Sequence, residues 1–293
     1  MTRARAIFLV LFGATLMSFV GIILRHIEAA DGFQIMAYRS LALCAIVLAF
    51  GCWHRRQSAL DFVSGIDRKD HVVGLLLGLA FTAYVFALIN TNVASALFIL
   101  ACAPVFATTL AWLVLGEAPS PVSIAAIVMA IGGVSLMVWD GLGNGGTLGN
   151  LFAMLSAFCF ACMLVLIRKF DRDPLGGTFM AGIFSSAGNA AVALVIGEGL
   201  AISNWDLGLS LFMGAFTIGL GIACVTLAAN QLPASEVSIL VLFESVLGPV
   251  WVWLFLNETA TLNVLLGGLI VLVAVIIQTW GSRKRGRAAF SAT

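Results

Sequence analysis

Ten apolar runs follow one another along this chain, each close to the roughly 20 residues that a helix needs to cross a hydrocarbon core. They fall at about 6–24, 33–53, 71–89, 94–115, 122–139, 148–167, 177–197, 207–229, 235–256 and 262–281. Of the 293 residues, 61% are hydrophobic and only 10% are charged, against about 45–50% and 25% in a soluble domain. A fold in water could not hide so much apolar surface, so the spacing predicts an all-α integral membrane protein. Breaks between runs carry charges or turn formers: Asp67 and Asp70, Pro119 and Pro121, the glycines after Asp140, Pro174, Asn204 with Asp206, Pro233, and Asn257 with Glu258. The first run follows Arg3 and Arg5 as a signal peptide would. It exceeds the roughly 7 to 15 residues of such a core and ends on Arg25 without a small-residue cleavage site, so it is read as a retained helix.

Orientation follows from lysine and arginine, which concentrate on the cytoplasmic side of membrane proteins. With the N-terminus inside, all of the 15 basic residues except Arg25 and Arg39 fall in cytoplasmic segments, in clusters at Arg3, at Arg55–Lys69, at Arg168–Arg172 and at Arg283–Arg287. Both termini are therefore expected in the cytoplasm, with a basic tail after the tenth helix, in a cell inner (cytoplasmic) membrane. A formal net charge of +1 points to no nucleic-acid partner. The six cysteines all lie in or beside apolar runs, where thiols behave as small hydrophobes. Cys159 and Cys162 form a CxxC, but without the further Cys or His ligands of a zinc site. No cofactor or metal is expected.

The chain also resembles itself. ASALFILACAPVFATTLAWLVLGE, 94–117, is similar to ASEVSILVLFESVLGPVWVWLFLNE, 234–258, and aligning Glu117 on Glu258 sets an offset of 141. ILR ending at Arg25 matches LIR ending at Arg168, at an offset of 143. Two matches at nearly one offset predict a duplicated half: 1–140 as a first five-helix repeat and 141–293 as a second. Five spans is an odd number, so the second copy enters the membrane from the opposite side. Inverted repeats of this kind characterise secondary transporters, which bind substrate near the midplane and rock one half against the other.

Ten helices in two halves, a fourth ending in WLVLGE, a ninth ending in LFLNE and a sixth introduced by GTLGNLFAMLSAFCFACMLVLIRK together resemble the drug/metabolite transporter superfamily, EamA type. The resemblance covers about residues 5 to 282. It implies a ten-helix transporter, and amino-acid export is the activity it suggests first. The family commonly sets a proline directly after the acid of the ninth helix. Here Ser245 stands after Glu244 and Pro249 follows later, so a kink in the ninth helix is expected further along than in the family pattern. The first half keeps Pro104 at the equivalent point.

Glu244 lies near the middle of the ninth run, where an acid costs about 2.5–3.5 kcal/mol on insertion scales. It must face the bundle interior or a wet cavity, either as a substrate or proton site or as a hydrogen-bonded structural carboxyl. Helical spacing puts Gly248 and Trp251 on its face. Arg39, in the second run, stays charged, so it must snorkel outward or pair with an acid or an anionic substrate group; the resemblance suggests a structural or gate-related role. Glu236 is read as reaching the interface. Small, polar or aromatic faces add Ser18 with Ala14 and Gly21, Phe81 with Tyr84, Ser156 with Phe152 and Met163, and Thr217 with Gly221 and Cys224. Such stripes serve helix packing as readily as a site. Tyr84 and Asn189 each need a polar partner at membrane depth. Trp53, Trp139, Trp205 and Trp280 fall at span ends, as an aromatic belt expects.

The candidate substrate-binding or coupling residues are therefore Glu244, Tyr84, Phe81, Ser18, Ser156, Asn189, Trp251 and Arg39. Few fixed charges line the interior while phenylalanine is plentiful, at 21 residues. That composition predicts an exporter or facilitator of small amphipathic molecules, neutral or aromatic amino acids first, working by alternating access. The expected partners are a small-molecule substrate, protons if transport is coupled, and the lipid bilayer, with the chain a monomer or weak dimer. A channel or a structural subunit is the alternative. An intramembrane enzyme is not expected, because His26, His54 and His71 lie at span ends and Glu244 has no second acid at its depth.

Overall fold

The computed structural model describes residues 2–116, 118–144, 146–170, 174–196, 199–229, 232, 237 and 240–290, with the side chains of 140–144, 229 and 279–290 excepted. Every regular element among the described residues is helical. Among the described residues, eight helical spans are long and apolar enough to cross a membrane, and two shorter apolar helices, Phe243–Leu256 and Leu262–Gln278, stand at the ninth and tenth runs.

Helix starts follow from capping chemistry. Asp31 caps α3 (Gly32–Arg55): its carboxylate accepts from the backbone N–H of Phe33 and Gln34, while Gln34 Oε1 accepts from Asp31 N at 3.0 Å. The same reciprocal box forms between Asp67 and Asp70 at the head of α5 (Arg68–Asn90) and between Ser58 and Asp61 at the short α4 (Ala59–Ser64). These boxes satisfy the orphan N–H groups of a first turn and so fix where each span begins.

Among the described residues, four of the apolar runs are interrupted. The first divides at Phe19 into α1 (Arg3–Ser18) and α2 (Val20–Leu24). The fourth divides at Ala101–Cys102 into α6 (Val93–Leu100) and α7 (Ala103–Leu115). α8 (Pro121–Asn144), α9 (Thr147–Phe170) and α10 (Pro174–Ile196) follow unbroken. The eighth joins α11 (Asn204–Phe212) to α12 (Leu220–Ala229) through a π-helical segment, Met213–Gly219. The ninth restarts after a turn at Leu242 as α13 (Phe243–Leu256), and α14 (Leu262–Phe290) closes the chain.

The break in the ninth run lies ahead of Glu244, and Pro249 lies inside α13. The helix restarts just ahead of Glu244, through a tight bond from Ser245 N to Leu242 O at 3.0 Å. Adding the repeat offset of 141 to Ala101 gives Leu242, so the two interruptions correspond. In the first half the helix resumes with Pro104 in its first turn, where a missing N–H costs nothing.

Packing follows a matching rule. The third span packs on the sixth as the eighth packs on the first, the third on the seventh as the eighth on the second, and the fourth on the sixth as the ninth on the first. Contacts of the second span with the seventh, the fourth with the ninth and the fifth with the tenth map onto themselves. Close crossings use glycine: a Cβ on Gly133 of α8 would lie 2.7 Å from the carbonyl of Gly267 in α14, and one on Gly267 would lie 2.6 Å from that of Gly133. Small residues of this kind let membrane helices approach at backbone distance. The largest core cluster includes Val20, Leu43, Leu88, Leu97, Ile99 and Met137, while Leu75, Leu113, Ile131 and Leu269 face outward. Trp53, Trp139 and Trp205 are exposed at span ends.

The end of the bundle reached by the first span at Leu24 is called distal, and the end where Arg3 begins it, proximal. Distal connections are tied by polar bonds. Asp206, in the first turn of α11, accepts from the backbone N–H of Glu28, Ala29 and Ala30 at 3.0, 3.1 and 3.1 Å. Tyr38 donates to Leu200 O and Trp205 to His26 O. Arg25 grips Glu258 beyond the end of α13.

Candidate functional site

Arg39 lies about two turns beyond its Asp31 cap on α3 and is only 1% exposed. Its carbonyl faces Gly214 of the π-helical segment so closely that a Cβ there could not be accommodated. Nη1 donates to Met36 Sδ at 3.2 Å. The guanidinium carbon sits 5.6 Å from the ring centre of Phe81 and 5.9 Å from that of Tyr84, at distances where a cation is drawn to an aromatic face. Nε and Nη2 are buried, and no hydrogen-bond partner takes either among the described residues.

Tyr84 is buried on α5, on the same helix as the half-buried Phe81. It couples electrostatically to Glu244 and to Arg39, the polar neighbours that a mid-membrane phenol needs. Glu244 stands in the first turn of α13, where the exposed N–H groups of a helix start favour negative charge. It interacts through space with both Arg39 and Tyr84. The bundle encloses Glu244, yet the residue keeps accessible surface. Three helices thus bring a cation, a phenol, an apolar ring and a carboxylate together inside the protein: α3, α5 and the restarted α13.

Trp251 and Ser18 form a second contact further along α13. Trp251 Nε1 donates to Ser18 Oγ at 2.9 Å, and its ring stacks on Phe19 with centres 5.0 Å apart and planes 11° from parallel. This contact crosses the interruption of the first span and joins the α1–α2 joint to the α13 face.

Two sequence candidates are taken up by neighbouring helices. Ser156 Oγ donates to Ala80 O at 2.8 Å, joining α9 to α5. Asn189 Nδ2 donates to Thr82 Oγ1 at 2.9 Å and to Ser185 O at 2.7 Å, and Ser185 is linked to Ser40 at 3.0 Å. That network ties α10 to α5 and α3 apart from the Arg39 cluster. Gly221 and Cys224 face α1 around Gly13, and Thr217 bonds back to Met213 O. Glu236 lies outside the described residues.

Sequence reasoning missed Met36, Gly214, Asp206 and the Arg25–Glu258 pair as functional or structural elements. Met36 and Gly214 gave no signal, because a thioether and a glycine are ordinary in an apolar run. Arg25 and Glu258 did give one: both were anchors of the internal repeat.

Comparison with known proteins agrees with this picture. The sequence signature described as the EamA-like transporter family matches residues 4–139 and again 147–280. A protein of Methanothermobacter thermautotrophicus, named an uncharacterized transporter, is 25% identical over 231 residues, which is 74% of this chain and 67% of the relative. Another uncharacterized transporter, from Clostridium kluyveri, is 23% identical over 271 residues, 87% of this chain and 86% of the relative. A protein of known crystal structure aligns over 95% of this chain and 98% of its own with a TM-score of 0.62 at 17% identity, a likeness of fold alone.

Proposed function

From the premise that the chain belongs to the EamA-like transporter family, and is a multi-pass membrane transporter, we propose a secondary carrier of small amphipathic metabolites, neutral or aromatic amino acids first. In this reading ten spans form two inverted five-helix repeats, 1–140 and 141–293, with both termini in the cytoplasm and the protein in the inner membrane. Access to the Arg39–Tyr84–Glu244 cluster alternates between the two faces. The repeat offset, the matched helix pairings and the location of the basic residues support this arrangement.

The observation that carries the proposal is the coincidence of two features. The fourth and ninth spans are interrupted at corresponding positions, Ala101–Cys102 and Leu242. Glu244, with Tyr84 and Arg39 beside it, stands at the second of these breaks. Paired interruptions in corresponding segments are the mark of a midplane site, because a broken helix is tolerated at that depth only where it lines a cavity or is buried in protein. The rings against Arg39, Phe81 and Tyr84, suit an apolar substrate body, while one cation and one acid suit a zwitterion better than a polyanion.

Counterflow tests it: purified protein in vesicles preloaded with unlabelled amino acids, and uptake of labelled tryptophan, phenylalanine and threonine, with and without a pH gradient. Saturable exchange is expected in the wild type. If Glu244→Gln keeps exchange but loses the response to the gradient, Glu244 couples protons. If exchange ignores the gradient and fails in the variant, Glu244 holds substrate in a uniporter. Ohmic conductance without counterflow would replace the carrier with a channel.

A further inference from the structure

We propose that Arg39 is the anion receptor of this site, and that the group it reads is a carboxylate of the transported molecule, held side-on by Nε and Nη2; this rests on the carrier reading above. A guanidinium has two edges suited to a planar anion, and the edge formed by Nε–H and the adjacent Nη2–H matches the two oxygens of a carboxylate. The protein itself displays this grip. At the distal end Arg25 presents that edge to Glu258, with Nε to Oε2 at 2.9 Å and Nη2 to Oε1 at 3.4 Å, while its Nη1 is engaged elsewhere, on Leu88 O at 2.6 Å.

Arg39 is arranged in the same way up to the last step. Nη1 is occupied by Met36 Sδ, the guanidinium lies over the rings of Phe81 and Tyr84, and the side-on edge has no partner among the described residues. Arg25 is partly open to its surroundings; Arg39 is 1% exposed. A buried charge without hydrogen bonds is costly, and a thioether with two ring faces recovers only part of that cost. A chain that needed a cation only for packing would have matched it with an internal carboxylate, as it does at Arg25. Glu244 is in the same cluster, yet neither Nε nor Nη2 of Arg39 bonds it. Phe81, half-buried, is the more exposed of the two rings that the guanidinium lies over. A carboxylate and an ammonium carried on one substrate then find opposite charges within one cluster, at Arg39 and at Glu244.

The class implied is an amphipathic carboxylate with an apolar body, in which the carboxylate is indispensable. The experiment uses the full-length protein and competes labelled L-phenylalanine counterflow with L-phenylalanine, its amide and 3-phenylpropionate. In parallel it records the thermal stabilisation of detergent-purified protein by 3-phenylpropionate and by 3-phenylpropionamide. The acids are expected to compete at least tenfold better than the amide. Arg39→Lys should weaken phenylalanine by about tenfold, and Arg39→Gln should erase the preference for acid over amide. If phenylalanine does not exchange, stabilisation by 3-phenylpropionate but not its amide, lost in Arg39→Lys, upholds the receptor while the amino-acid reading falls. Equal action of acid and amide on the wild type in both assays overturns it, without reliance on any variant that fails to fold.

Discussion

Arg25 and Glu258 are joined side-on across 233 positions of sequence, Nε to Oε2 at 2.9 Å. Each also has a backbone duty that the other could not perform. Arg25 donates to Leu88 O and Thr91 O at 2.6 and 3.0 Å, while Glu258 Oε1 accepts from Val93 N at 2.7 Å, in the first turn of α6. Charge exchange should therefore fail. Arg25→Gln and Glu258→Gln should each lower stability by about 2 kcal/mol, the range for losing charge-assisted bonds. The double exchange, Arg25→Glu with Glu258→Arg, should be no better than either, because it sets a carboxylate against two carbonyls. Melting of the purified protein decides; recovery in the exchanged pair would mean that attraction alone holds the two.

Asp206 makes a second test of the distal end. It is 0% exposed, and Oδ2 accepts from both Ala29 N and Ala30 N while Oδ1 accepts from Glu28 N. An amide in its place turns one acceptor into a donor facing a donor, whichever way it is oriented. Asp206→Asn should cost about 1–3 kcal/mol and open the 26–31 connection to protease before the rest of the chain. Cleavage at wild-type rates would show that the connection is held by its other contacts, such as Trp205 to His26 O.

Neighbouring glycines of α8 should behave oppositely. Gly132 has nothing within 4 Å of an added Cβ, whereas Gly133 meets the Gly267 carbonyl at 2.7 Å and Val271 at 2.9 Å. Gly133→Ala should lower stability by about 1–3 kcal/mol through overpacking. Gly132→Ala should be neutral or gain up to about 1 kcal/mol from helix propensity. Thermal melts of the two variants check this, and equal losses would move the crossing away from Gly133.

The contrast between Glu244 and Asn189 shows how far sequence could reach. Both are polar residues in apolar runs, and hydropathy says only that each needs a partner. Glu244 finds Tyr84 beside Arg39, while Asn189 is absorbed by Thr82 and Ser185; the choice depends on which helices are neighbours, which no local pattern encodes. Span positions were legible because lipid demands long apolar helices and because charges, prolines and capping residues mark their ends. The interruptions at Phe19, Ala101–Cys102 and Leu242 and the π segment Met213–Gly219 were not. An apolar run reads alike whether its helix is continuous or broken. Met36 is the clearest case of what stays hidden: its sulfur engages Arg39, but any methionine in a span looks like filler.

The repeat that singled out Arg25 and Glu258 carries a last prediction. Its offsets take Arg25 to Arg168, near the proximal end of α9, and Glu258 to Glu117, which lies outside the described residues. If the halves are inverted copies, the offsets predict for the distal latch of Arg25 and Glu258 a proximal counterpart of Arg168 with Glu117. The two should hold opposite ends shut in alternation, since a carrier open at both would leak. Neutralising the distal pair with Arg25→Gln and Glu258→Gln should then shift the population toward distal opening, and Arg168→Gln with Glu117→Gln toward proximal opening. Modification of a Phe81→Cys reporter by an impermeant maleimide added from the distal side reads the balance: faster with the distal pair neutralised, slower with the proximal pair. Within each pair the second substitution should add less than the first, because either one already breaks the contact. Labelling that changes in the same direction for both pairs would show that they stabilise the bundle in general and do not gate opposite faces of the cluster around Arg39 and Glu244.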